Sequence, residues 1–379
     1  MSEKNIESLY FDYAATTPLR EEVFNAMQPF YSQTFNNASS IYRSAQKVKN
    51  AIEEARRTVA DLLKVKPNEI FFTSGGTESN NWAIFGTYAA YKYKKNKLIT
   101  SKYEHHSVLK SAEFIEYMGG SFNLVNIKPD GCIDIDDLNQ KIDDNTYLVS
   151  IMTVNNELGS INPISEIADV CRSKNVLFHT DAVAAAGYMT LDVSKYDILS
   201  LSAHKFYGPK GIGILYIRNG TEIKPLLYGG EQESGRRAGT ENAGGIIGCA
   251  KALELAVSEM KNENKRLSEL RDYFKEKLAA QIPNIVINND FGNSLPNYIN
   301  LSLPNVNSQI ALITLDLNGI ECSNGSACMS GGSKPSHVLK SLNLSDDRVE
   351  NALRFTMGKG TTKAQIDKAV SELKKICSN

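Results

Sequence analysis

Between about residues 16 and 250 the chain alternates short apolar runs with stretches of helical periodicity, and this alternation restricts the fold more than any other feature. The runs are Ile70-Phe71-Phe72, Leu98-Ile99-Thr100, Leu148–Met152, Val176–His179, Ile198–Leu201 and Ile214–Ile217. Each is short, apolar and bounded by polar or turn residues, so each reads as a buried strand. In Ser44–Leu63, by contrast, Ala45, Val48, Ile52, Ala55, Val59 and Leu62 recur at three- and four-residue steps, which turns one face of a helix inward. Strands separated by helices form a mostly parallel sheet covered on both faces, so this region is expected to be α/β.

A long helical pattern rich in Lys, Glu and Leu runs from Ile246 to about Gln281 and leads into a tail of different character. The tail holds strand-like Tyr298–Leu303, helical Ser308–Leu317, a Gly/Ser-rich loop around Gly325–Ser333 and an amphipathic helix near Lys363–Ile376. The expected division is a large α/β domain over 16–254 and a small α+β domain built from 1–15 and 255–379. A chain of 379 residues can bury two such cores.

Hydrophobic content of 42%, charged content of 22% and a net charge of -1 describe an ordinary globular protein with no global attraction to nucleic acid or to an anionic membrane. The first residues, Met1–Glu7, lack a charged-then-apolar leader pattern, and no apolar run approaches the roughly 18 residues of a membrane span, so a cytoplasmic protein is expected. Six cysteines are scattered without a CxxC pair or histidine spacing, which gives no zinc site. Cys322 and Cys328 are close in sequence, but a reducing compartment favours free thiols.

Where the run Ile198–Leu201 stops, Ser202-Ala203-His204-Lys205-Phe206-Tyr207-Gly208-Pro209 begins, and Gly208-Pro209 breaks any regular continuation. Lys205 is thereby pinned near a strand end. A lone lysine there is far more often a solvated turn residue. Other polar clusters follow other strands: Thr73–Asn81, Glu104-His105-His106, Asn155-Asn156-Glu157 and His179-Thr180-Asp181. Singly they read as helix caps or satisfied loop residues. In an open parallel sheet, however, the carboxyl ends of the strands line one crevice, which gathers the clusters into a single site.

Pyridoxal phosphate makes a common demand on such a set: a lysine for a Schiff base, a carboxylate for the pyridine nitrogen and donors for the phosphate. Lys205 and Asp181 can serve the first two needs. His105 can stack on the ring, Asn156 can reach the phenolic oxygen, and Gly76, Thr77, Ser202 and His204 can reach the phosphate, the first two at a helix start.

These residues resemble the cysteine desulfurases, a family of fold-type I pyridoxal-phosphate enzymes, over nearly the whole chain. The resemblance rests on Phe11–Pro18, Thr73–Asn81, Glu104-His105, Asn155-Asn156-Glu157, Asp181-Ala182, Ser202–Gly213, Gly229–Glu233, Arg237–Asn242 and Gly325–Cys328, all in order. It implies that Lys205 anchors the cofactor and that His105, Asp181, Asn156, Gly76, Thr77, Ser202 and His204 surround it. It further implies Arg354 on the substrate carboxylate, Asn37 in the substrate pocket and Thr240 on a neighbouring subunit's phosphate in a homodimer. Cys328 is implied as the nucleophile that takes sulfur from L-cysteine and passes it to an acceptor protein, either an iron–sulfur scaffold or a tRNA-thiolating enzyme, with no direct nucleic-acid contact.

The chain departs from the family pattern at Ala184, where a glutamine is usual, at Tyr42 in place of a pocket histidine, and at Glu231, Ser234 and Met329. These changes point to altered efficiency rather than to a different reaction. Two alternatives stay open on the sequence: a selenocysteine lyase, and a weakly active protein that binds pyridoxal phosphate and serves as a partner.

Overall fold

The computed structural model describes residues 8–324 and 335–378. Its main sheet has seven strands: β1 (Ile70–Thr73), β2 (Lys97–Ser101), β3 (Ser121–Val125), β4 (Thr146–Ser150), β5 (Leu177–Asp181), β6 (Ile198–Ser202) and β7 (Gly213–Ile217). They lie in the order β1-β7-β6-β5-β4-β2-β3. The pairs β2/β3, β2/β4, β4/β5 and β5/β6 are parallel, whereas β7 runs antiparallel to both β1 and β6. The expected α/β class with a mostly parallel sheet is what the chain adopts.

Strands β4, β6 and β7 are buried along their whole length, as a sheet covered on both faces requires. Strand β3 was not legible as an apolar run. It lies at the sheet edge, and of its residues only Val125 is buried. The run Leu148–Met152 outlasts its strand by two residues because Ile151 and Met152 continue into a buried loop.

Helix α1 (Arg43–Leu63) presents the expected inward face, and that face also carries the buried Arg56. Helix α2 (Gly76–Asn81) follows β1 and continues through a π-type turn to Tyr91, while α3 (His106–Tyr117) follows β2. Helix α4 (Ala243–Gln281) is 39 residues long. Its first part packs Ile246, Cys249, Ala250 and Leu253 into the core of the main sheet. Its later part packs Leu267, Leu270, Phe274 and Leu278 into a second cluster with Leu9, Phe11, Ile299, Leu301, Phe355 and Ile366. Rings of Phe11, Phe274 and Phe355 meet there at centroid distances of 5.5–6.0 Å.

The second cluster covers a small antiparallel sheet in which β8 (Tyr298–Ser302) lies between β9 (Ala352–Thr356) and the short strand Val286–Ile287. The segment after Tyr10 joins the two sheets. Asp12 bridges to Thr356 at one end, and Thr17 donates its backbone N–H to the carbonyl of His204, just past β6, at the other.

One glycine sets the spacing at the sheet's carboxyl edge. Gly213 pairs with both Thr73 of β1 and Ser202 of β6. A Cβ there would come within 2.7 Å of the Gly75 backbone and 2.8 Å of the Leu201 carbonyl. Only glycine lets the turn after β1 pack directly on the end of β6.

Candidate active site

Helical turn residues Ala203–Lys205 follow β6 directly, so Lys205 emerges at the carboxyl edge of the sheet. Its Nζ donates to the carbonyls of Ala14 at 2.5 Å and Ala15 at 2.8 Å. The N-terminal segment is clamped over this turn: the Thr17 hydroxyl donates to the His204 carbonyl at 2.9 Å and accepts from the backbone N–H of Tyr207 at 2.8 Å. The Phe11–Pro18 motif thus acts as the second wall of the lysine's turn.

A cavity of about 440 Å³ opens here. Lys205, Asp181, His105 and Asn156 line it, as do Gly76, Thr77, Ser202, His204 and Arg354. Nine residues proposed from distant parts of the sequence therefore share one chamber. Asn37 and Thr240 are exposed and do not line it, and the Asn37 side chain accepts from the backbone of Ser39 instead. Cys328 and Met329 lie outside the described residues.

Asp181 ends β5, and its carboxylate is received by two donors: Asn80 Nδ2 to Oδ2 at 2.6 Å and the Val183 backbone N–H to Oδ1 at 2.9 Å. His105 caps α3, and its Nδ1 accepts from the Ser107 backbone N–H at 3.1 Å. Burial lowers its pKa; Lys205, His106 and His337 add to the effect and Asp181 opposes it. His204 falls to about 4, through burial and then the positive charges of Lys205 and Lys210, so it faces the cavity neutral.

Arg354, on β9, is buried and donates to Asp12 Oδ1 at 2.6 Å and to the Asn156 carbonyl at 2.9 Å. Its Nε has no partner, and neither does Asn156 Oδ1. Unpaired polar atoms in a buried chamber are rare and mark where a ligand's groups fit. Burial works against the Arg354 charge, but Asp12, Tyr298 and Glu157 outweigh it and raise its pKa.

The donor set fits pyridoxal phosphate. Gly76 opens α2 beside Ser202 with no room for a side chain, since a Cβ would lie 2.8 Å from Val183. That bare helix start suits a phosphate. Among the described residues no group of His, Cys, Asp and Glu is placed to hold a metal.

Comparison with known proteins agrees with this chemistry. A family model described as aminotransferase class-V matches residues 9–369. The chain is 47% identical over 370 residues to cysteine desulfurase IscS of Dictyoglomus turgidum, covering 97% of this chain and 94% of that one. This chain belongs to the cysteine desulfurase family. A second relative, cysteine desulfurase IscS of Methanosarcina thermophila, is 43% identical over 372 residues, with 98% and 92% covered. A solved structure described as a NifS-like protein is similar with a TM-score of 0.92 at 34% identity, covering 98% and 99%. Another, described as SspA in complex with cysteine, has a TM-score of 0.82 at 36% identity, covering 92% and 98%. The family is one of pyridoxal-phosphate enzymes.

Of the family departures, Ala184 lines the cavity and offers only a methyl group. Tyr42 does not line it; it is half exposed and sits just before α1. Glu231 and Ser234 are exposed, and Ser234 takes a left-handed conformation. In and around the cavity are contacts to which no motif gave a role. Asn80 reaches Asp181, the Ser336 hydroxyl donates to buried Glu157 at 2.5 Å, and the His337 ring packs on His106 at 4.7 Å. Ser336 and His337 lie far along the chain from Glu157 and His106, so only the folded packing discloses them.

Proposed function

We propose that this chain removes sulfur from L-cysteine with pyridoxal phosphate, releasing L-alanine and leaving the sulfur as a persulfide on Cys328. The observation that carries this reading is the single chamber in which Lys205, Asp181, His105 and Arg354 converge. Bound pyridoxal phosphate supplies an electron sink for charge developing at the substrate Cα. Lys205 would hold the cofactor and, once displaced by the substrate amine, move the Cα proton. Asp181, held in place by its two donors, would hold the proton of the pyridine nitrogen. His105 would cover the ring, and Asn156 would meet the phenolic oxygen without the help of a side chain at position 184.

Gly76, Thr77, Ser202 and His204 would receive the phosphate, joined by Thr240 of a neighbouring copy in a homodimer. Arg354 would take the substrate carboxylate through a planar fork of N–H donors, with Asn37 near the same end. The Cys328 thiolate then attacks the substrate sulfur: an S–S bond forms, the C–S bond breaks, and the carbon left behind takes up a proton. The persulfide would pass to a sulfur-acceptor protein, an iron–sulfur scaffold or a tRNA-thiolating enzyme, in the cytoplasm. We read 16–254 as the cofactor domain and 1–15 with 255–379 as the domain carrying Cys328; the second hydrophobic cluster draws its buried residues from 1–15 and 255–379 alone, whereas the first also takes in Ala14, Leu295, Tyr298, Val338 and Leu339. Among the described residues no helix is long and apolar enough to cross a membrane.

The test is turnover of L-cysteine with alanine and persulfide quantified together. Parent protein should yield alanine, with persulfide mapped to Cys328. If Cys328→Ala forms as much protein-bound persulfide as the parent, the nucleophile is misassigned.

A further inference from the structure

We propose that Asn80 is a positioning residue that ties the Asp181 carboxylate to His105 through the hydroxyl of Ser107. Asn80 is buried near the end of α2, at 1% exposure, where α2 faces α3. Its amide nitrogen donates both protons: one to Asp181 Oδ2 at 2.6 Å, the other to Ser107 Oγ at 2.9 Å. The amide cannot be reversed, because its oxygen would then face a carboxylate. The cost of that orientation is visible, since Asn80 Oδ1 is buried with no partner. A buried amide leaves its oxygen unpaired only where its nitrogen is firmly committed.

The direction of the chain follows from donor counting. Ser107 Oγ accepts from Asn80, so its own proton is left to give, and it lies 2.8 Å from His105 Nδ1. The backbone N–H of Ser107 points at the same nitrogen from 3.1 Å. With two donors aimed at it, Nδ1 holds no proton, and the neutral ring carries its proton on Nε2. The charged and titratable groups facing His105 are Asp181, Lys205, His106 and His337. Asp181 alone among them favours an imidazolium.

Two consequences follow for the site. Asn80 fixes the direction of the Asp181 carboxylate with a short hydrogen bond, and it orients Ser107 so that His105 presents Nε2–H. One side chain thus fixes the orientation of one group and the tautomer of another, both used by the proposed chemistry. The value of this to the cofactor rests on the pyridoxal-phosphate reading above, whereas the hydrogen-bond chain stands without it.

The experiment uses full-length, pyridoxal-phosphate-loaded protein with 15N-labelled histidine, of which the chain has five. Parent, Asn80→Ala and Ser107→Ala are titrated by NMR to read the His105 tautomer and midpoint, and cofactor affinity is read on the same proteins by visible absorbance. In the parent, His105 should carry its proton on Nε2. Asn80→Ala should raise the His105 midpoint, because the Ser107 hydroxyl is freed to accept, and should weaken cofactor binding about tenfold. Ser107→Ala should raise the midpoint while leaving affinity within about twofold, since Asp181 keeps its bond. Identical midpoints and tautomers in all three proteins would overturn the proposal, whatever the change in melting temperature. A parent that takes up no cofactor while the midpoints still move would sink the cofactor reading and leave the positioning role standing.

Discussion

Arg56 and Arg354 are both buried, and each meets a carboxylate, yet they are finished differently. Arg56 forms a two-pronged pair with Glu233 at 2.7 and 2.8 Å, donates to the Ile70 carbonyl at 2.7 Å, and reaches Glu53 through Nε at 3.3 Å. Its guanidinium also lies over the Phe72 ring at 5.0 Å. Every nitrogen is used. Arg354 has one carboxylate contact and one carbonyl contact, and its Nε is left without a partner beside the cavity. Both arginines are kept charged against the penalty of burial, Arg56 by Glu233 and Arg354 by Asp12. A buried charge that is fully bonded fastens the fold, and one that is left incomplete is poised for a ligand.

Breaking the fastened pair should have the largest effect. Glu233→Ala leaves the buried Arg56 charge with only the longer Glu53 contact and the Ile70 carbonyl, and should cost about 3–5 kcal/mol in denaturant unfolding. A loss below about 1 kcal/mol would show that the pair does not hold the 232–236 segment, in which Glu233 itself takes a left-handed φ of 47°.

Glu104 extends the contrast to a carboxyl. It is fully buried with Oε2 unpartnered, and burial, with a smaller push from Asp181, raises its pKa from 4.5 to about 8 while bonds from Ser101 and Met152 oppose the rise. The folded state therefore binds this proton more tightly than the unfolded one. Its stabilising contribution is complete below pH 4.5 and is lost as pH rises through about 8. The pH dependence of stability in parent and Glu104→Gln should diverge across that window by a few kcal/mol. Parallel curves would mean that Glu104 is ionised in the fold.

The same conservative change at each arginine sharpens the comparison. Arg354→Lys keeps the charge but loses the fork, and should lower kcat/KM for L-cysteine about 10- to 100-fold, chiefly through KM. Arg56→Lys should lower the melting temperature and leave KM near the parent value. Reversed outcomes would break the distinction. The smallest effect is expected at the cavity wall, where Ala184→Gln adds the side-chain amide that is usual in the family. About 1 kcal/mol of tighter cofactor binding should follow, read as slower release of cofactor in a competitor chase.

Those parts of the fold and site that are marked locally were legible in the sequence. Lys205 and Asp181 stand where apolar runs stop, and the end of a run is the end of a strand. The buried face of α1 and the extent of α4 followed from helical spacing in the same way. What stayed hidden depends on long-range packing. Strand β3 has no apolar run because it is an edge, and Arg56 interrupts an apolar stripe with a partner 177 positions away. Asn80 joins residues 27 and 101 positions distant, which no local pattern encodes. Thr240 is exposed and does not line the cavity of the single chain.

The central claim is that Lys205 anchors the cofactor in this chamber. Borohydride reduction of the protein loaded with pyridoxal phosphate, followed by peptide mass spectrometry, tests it directly. A single stable cofactor adduct is expected on the peptide bearing Lys205, absent after Lys205→Ala. An adduct on another lysine at full occupancy, or none in a protein that still converts L-cysteine to alanine, would contradict it.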